Sequence, residues 1–164
     1  MSVRSALIID TEDLDEEVVK KLRAAADSVL TEASHLVHDP TAVQGWTPDR
    51  AAELARRLRV ENRPVQAGTI AWAAHHGGYA ERDAVYALGG YDRSRSLSGF
   101  TKPVGRIMRD MVAKGTLPAD AADPMKPVYD PANPSYQKAQ GFRMPAAVAA
   151  VFVQALPEPD VAPG

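Results

Sequence analysis

Between residues 93 and 114 the chain carries six basic side chains, Arg93, Arg95, Lys102, Arg106, Arg109 and Lys114, against a single acid, Asp110. Fixed cations hold anions, and an arginine fork fits either a phosphate or the edge of a guanine. Spacing sharpens the case. At 100° per residue, Lys102, Arg106 and Arg109 fall within about 60° of one another on a helix. Val104, Ile107, Met108 and Met111 gather on the opposite side, so one face can pack while the other presents three cations in a row. The preceding loop adds Ser94, Ser96 and Ser98 as donors to phosphate oxygens. Thr101, two residues before Pro103, reads as a capped helix start whose first amides favour an anion.

Other chemistries find little support. The chain has no cysteine, which excludes disulfide scaffolds, thiol nucleophiles and thiolate metal sites. His35 and His38, beside Asp39, and the pair His75-His76 all sit where helices are expected to end, and the helix dipole favours histidine there without a metal. The acidic run Asp10, Glu12, Asp13, Asp15 lacks the glycine and closing glutamate of a calcium loop. There is no Gly-rich phosphate loop and no serine in a nucleophile elbow. Trp46, Trp72, Tyr86 and Phe100 read as core or interface residues. The expectation is a protein that is not an enzyme, with no catalytic residue, cofactor or metal.

The elements that must position the cations follow from periodicity and punctuation. Residues 3–10 read as a short strand, and acids at 13–17 open a helix over 15–36. Its apolar positions Val19, Leu22, Ala26, Val29, Ala33 and Leu36 alternate spacings of three and four, a narrow seam suited to one partner helix. Thr47-Pro48 starts a helix over 48–60 with Ala51, Leu54, Ala55 and Leu58 inward and Arg50, Arg56, Arg57 and Arg59 outward. Helices over 64–76 and 80–88 follow, each closed by a Gly-Gly pair, and the cationic helix spans 101–114. After a proline-rich stretch, residues 125–130 and 139–144 read as two strands joined by an Asn-Pro-Ser loop. A last helix covers 145–156, and the tail 157–164 is expected to be disordered.

Three helices, the second short, followed by a two-stranded hairpin, resemble the core of bacterial winged helix-turn-helix transcriptional regulators. The stretches carrying the resemblance are GTIAWAAHHGGYAERDAVYALGG and SLSGFTKPVGRIMRDMVAKGTLP. It implies a mainly α fold with a small β-hairpin, a winged-helix domain over 63–144 and flanking N- and C-terminal helices. It further implies that the third helix enters the major groove and that the hairpin, through Lys138 and Arg143, touches flanking DNA. The span 115–124 is longer than a compact wing needs.

The net charge of −2 conceals a partition. Residues 1–62 hold eight bases and twelve acids, residues 63–143 eleven bases and seven acids, and the remainder two acids. A domain of only +4 binds a polyanion tightly as two copies, so the helix in the arm 1–62, with the helix 145–156, is expected to form a homodimer. The resulting expectation is a regulator of double-stranded DNA. Arg93, Arg95, Ser96, Ser98, Thr101 and Lys102 would hold phosphates, and Arg106 and Arg109 would read bases. The alternative is an interaction module whose basic face binds an acidic protein surface. The N-terminus does not fit a signal peptide and the longest apolar run, 145–153, is far too short to span a bilayer. A cytoplasmic location, with no membrane contact, is therefore expected.

Overall fold

Thr47 adopts extended backbone and its hydroxyl accepts the Arg50 N–H at 3.3 Å, so the helix opens with a side-chain cap followed by proline. The computed structural model describes residues 15–37, 41–132 and 138–161, and over 29–37 only the path of the helix. The described elements are α1 (Glu16–Val37), α2 (Pro48–Val60), α3 (Pro64–His75), β1 (Tyr79–Glu81), α4 (Arg82–Gly89), α5 (Lys102–Ala113), β2 (Lys126–Tyr129), β3 (Ala139–Arg143) and α6 (Ala146–Ala155). The chain is mainly helical with a small antiparallel sheet. No described helix is long and apolar enough to cross a membrane. The expected strand at 3–10 and most of the acidic run lie outside the described residues.

Among the described residues the sheet has three strands, not two, in the order β1-β3-β2. The expected helix over 80–88 begins with the last two residues of β1, which pairs Tyr79 with Arg143 and Glu81 with Gly141. Three residues are too few to display alternation, and this strand exists only because β3 supplies its hydrogen bonds. Two glycines permit the approach. A Cβ on Gly141 would stand 2.5 Å from the Ala80 carbonyl oxygen, and one on Gly78, at φ +89°, would stand 2.6 Å from that of Met144.

One core runs from Trp46 to Leu156. Leu54 and Leu58 of α2, Ile70 of α3, Val85 of α4, Ile107 and Met111 of α5 and Phe152 of α6 are all fully buried in it. Burying each such side chain contributes about 1.5–3 kcal/mol. Trp46 meets the edge of Phe152 at 4.9 Å, and Phe100 lies 5.2 Å from Phe142. The core thus crosses the boundaries expected at 62/63 and 144/145, because α2 and α6 pack against α3 inside it. The long stretch 115–124 belongs to it too. Trp46 Nε1 donates to the Ala122 carbonyl at 2.8 Å, the Ala122 N–H bonds to Gln44, and Leu117 is buried.

Arg50 departs from expectation. It is buried, and its Nη1 donates to the Gly45 carbonyl at 2.8 Å, pinning the turn ahead of α2. By contrast α1 buries none of its described side chains. Val18 and Leu22 are exposed, and Val19 and Ala26 are half-buried. The other expected seam residues, Val29, Ala33 and Leu36, have side chains outside the described ones. Residues 157–161 of the tail carry no regular element, and 162–164 lie outside the described residues.

Candidate nucleic-acid interface

The alternation of faces read from residues 101–114 is realised in α5. Val104, Ile107 and Met111 are buried, while Lys102, Arg106 and Arg109 are exposed along the other side, with Gly105 between them. Gly115, at φ +70°, ends the helix, and the Thr116 N–H returns to the Met111 carbonyl at 2.9 Å. Thr101 stands at the N-cap position but in helical conformation, and its side chain makes no capping bond. The expected cap is absent because capping requires extended backbone there.

The three cations of α5 are not equivalent. Arg106 forks onto both carboxylate oxygens of Glu61, just past the end of α2. The side chains of Lys102 and Arg109 have no hydrogen bond or ion pair among the described residues. Lys114 bonds to Asp110 at 2.9 Å, and Arg57 bridges Asp110 to Glu53, its Nε lying 2.6 Å from the Glu53 carboxylate. The hydrogen bonds from Lys114 and then Arg57 hold the Asp110 carboxyl below its usual range. Glu53 is drawn down to about 2 by hydrogen bonds from Arg56 and Arg57. The α2–α5 seam is therefore internally neutralised.

The loop before α5 is built by local bonds. Asp92 accepts the Ser94 N–H at 2.8 Å and Ser96 Oγ accepts the Ser98 N–H at 3.1 Å, two side-chain turns in succession. Tyr86 donates its hydroxyl to the Arg95 carbonyl at 2.9 Å, while the Arg95 guanidinium lies over the Tyr91 ring at 3.9 Å. Arg93 is exposed, 3.9 Å from Asp83. On one side of this loop lies a cleft of about 890 Å³ bordered by the starts of α3 and α5. On the other lies a hollow of about 200 Å³ shared with the hairpin.

The cleft brings together Arg95, Ser96, Ser98, Thr101, Lys102, Arg106 and Arg109 of the expected set. Lys138, at the tip end of β3, borders the smaller hollow along with Ser96, Ser98 and Thr101. Arg143 stands apart from both, at the other end of β3 with its guanidinium 5.6 Å from the Tyr79 ring. Sequence reasoning missed Arg63, which borders the cleft from the start of α3, and Arg82, which borders the hollow and donates to the Ala139 carbonyl at 2.9 Å. Asn62-Arg63-Pro64 signalled only a helix break. Nothing local ties it to α5.

The histidines are held structurally. His75 Nε2 lies 2.9 Å from the Leu156 carbonyl, and His76 stacks on Trp72 with Nδ1 2.8 Å from the Trp72 carbonyl. Among the described residues no group of three or more metal-ligating side chains comes together. The side chains of His35 and His38 lie outside the described ones. Comparison with protein-family models, with curated proteins and with solved structures finds no match to the chain.

Proposed function

We propose that the chain is a sequence-specific DNA-binding regulator of the winged-helix type, acting as a homodimer with α5 in the major groove. The observation that carries this reading is α5 itself, whose exposed face aligns Lys102, Arg106 and Arg109 while Val104, Ile107 and Met111 are buried on the other side and Met108 is half-buried. The order α3-β1-α4-α5-β2-β3, with its sheet ordered β1-β3-β2, supports the winged-helix assignment. Arg109, whose side chain has no partner among the described residues, is the leading base reader. Arg106 must first exchange Glu61 for DNA. Lys102 and the 93–98 loop would grip phosphates, and Lys138 would add a contact from the wing.

Fluorescence anisotropy with a random duplex at two salt concentrations tests the reading. Binding at low salt that weakens steeply with added salt is expected, because bound cations release counterions. Undetectable binding at low salt overturns it. For the dimer, α1 offers an amphipathic face with no buried side chain among those described. Two copies would place two α5 helices about 34 Å apart on successive turns of the groove. Sedimentation of a Val19→Asp, Leu22→Asp variant should give half the wild-type mass. An unchanged mass overturns the α1 interface.

One observation favours a protein ligand instead. Beside α5 lies an apolar hollow of about 320 Å³ lined by Met108, Val112, Pro118 and Ala121. If that hollow and the cations serve together, the partner is an acidic peptide with an apolar anchor, and the duplex will not bind.

A further inference from the structure

Five cations line the cleft between the start of α3 and the start of α5: Arg63, Arg95, Lys102, Arg106 and Arg109. Asp123 is the single carboxylate among its lining residues, and it already accepts the Met125 N–H at 2.8 Å. Arg106 is held by Glu61 and Arg95 by Tyr91, but the side chains of Arg63, Lys102 and Arg109 have no hydrogen bond or ion pair among the described residues. Like charges around a concavity repel one another, and low-dielectric walls concentrate their field in the space between. For Arg63, Lys102 and Arg109 the described residues supply no compensating charge. An anion in the cleft would.

Resting on the DNA reading above, we propose that the cleft seats the sugar-phosphate backbone of one strand of the duplex. Arg63 grips it from the α3 side while Lys102 grips it from the α5 side. The volume is that of a ligand site rather than of a single ion. Phosphates recur about every 3.4 Å of helix axis along one strand, so cations on two walls meet successive phosphates and do not compete for one. Both walls also begin helices whose N-cap side chains, Arg63 and Thr101, make no capping bond. On the α3 side the Val65 and Gln66 amides make no hydrogen bond among the described residues, whereas on the α5 side Pro103 has no N–H and the Lys102 and Gly105 amides already bond to the Gly99 and Thr101 carbonyls. The interface is thus two-walled. One wall belongs to α3, outside the helix that would read bases.

The test is Arg63→Ala in the full-length protein, measured by anisotropy across a salt series. Affinity at low salt should fall several-fold, and the slope of log K against log salt should shrink by about one. Preference among duplex sequences should stay unchanged, since a phosphate contact carries no base information. Arg63→Lys, which keeps the charge, should retain the slope. Arg59→Ala is the control: an exposed arginine on α2 that does not line the cleft, giving the same change in net charge. A full wild-type slope in Arg63→Ala, with the wild type binding DNA, overturns the cleft and leaves the α5 reading standing. Equal losses from Arg59→Ala and Arg63→Ala overturn it as well, since the effect would then be one of overall charge. A wild type that binds no DNA overturns both. Arg63 is exposed and its side chain caps nothing, so matching thermal melts will show that the variants fold.

Discussion

On the α2 flank of α5, Arg57, Asp110, Lys114 and Glu53 bond one another, and Arg106 is held by Glu61 at the end of the same seam. On the cleft flank, Lys102 and Arg109 share α5 with Arg106 and Asp110, yet their side chains have no such partners among the described residues. The two flanks show how one basic helix serves two ends. Where α5 meets its own fold, acids answer its bases. Where it meets the cleft, the bases are left for something else. Charge count along the sequence cannot separate these roles, because both flanks are written in the same residue types.

The sharpest way to break this comparison is to remove one arginine from each flank. Arg109→Ala should weaken DNA binding by about 1–3 kcal/mol and relax sequence preference, while leaving thermal stability within about 0.5 kcal/mol of wild type. Arg57→Ala should do the opposite, lowering stability by about 1 kcal/mol and leaving sequence preference intact. Anisotropy and thermal melts on both variants check the pair. If Arg109→Ala melts early, or Arg57→Ala changes which duplex is preferred, the division between flanks fails.

The seam also predicts a pH signature. Glu53 is held near 2 when folded, below the value of about 4.3 for a free glutamate. A depressed folded-state value means the unfolded chain takes up its proton first. The stability Glu53 supplies is therefore complete above about pH 5 and lost as pH falls toward 2. Glu53→Gln should flatten the stability–pH profile across that window and match wild type in slope near neutrality. A profile unchanged in shape would mean that Arg56 and Arg57 do not hold the carboxylate in solution.

What was legible in the chain was what local chemistry controls. Thr47-Pro48 and Asn62-Pro64 marked the ends of α2, and the spacing of Val104, Ile107 and Met111 marked the packed face of α5. What was not legible depends on partners far away in sequence. Tyr79–Glu81 becomes a strand only against β3, more than fifty residues on. Arg50 looks solvent-facing until the Gly45 turn folds over it, and the span 115–124 looks like surplus loop until Trp46 bonds to Ala122. The same limit hid part of the candidate site. The three cations of α5 could be read from spacing, but Glu61 on one and Arg63 across the cleft are brought there by the packing of α2 and α3.

Glu61 itself offers the finest discrimination between the flanks. It lies at the junction, holding Arg106 in a fork that is largely exposed, with the arginine side chain 59% and the glutamate 33% accessible. An ion pair this open contributes little to stability, so a phosphate or a base edge can displace the carboxylate at small cost. If Arg106 changes partner on binding, Glu61→Gln removes that cost and should tighten DNA binding by about two- to fivefold. The substitution also makes the protein more positive, which would raise affinity for any polyanion. The Arg106→Ala background separates the two causes. There, Glu61→Gln should have almost no effect if exchange of Arg106 is the mechanism, and should keep its full gain if only long-range charge is at work. A gain that persists in that background would assign Arg106 to the structural flank and leave Arg109 to read the groove alone.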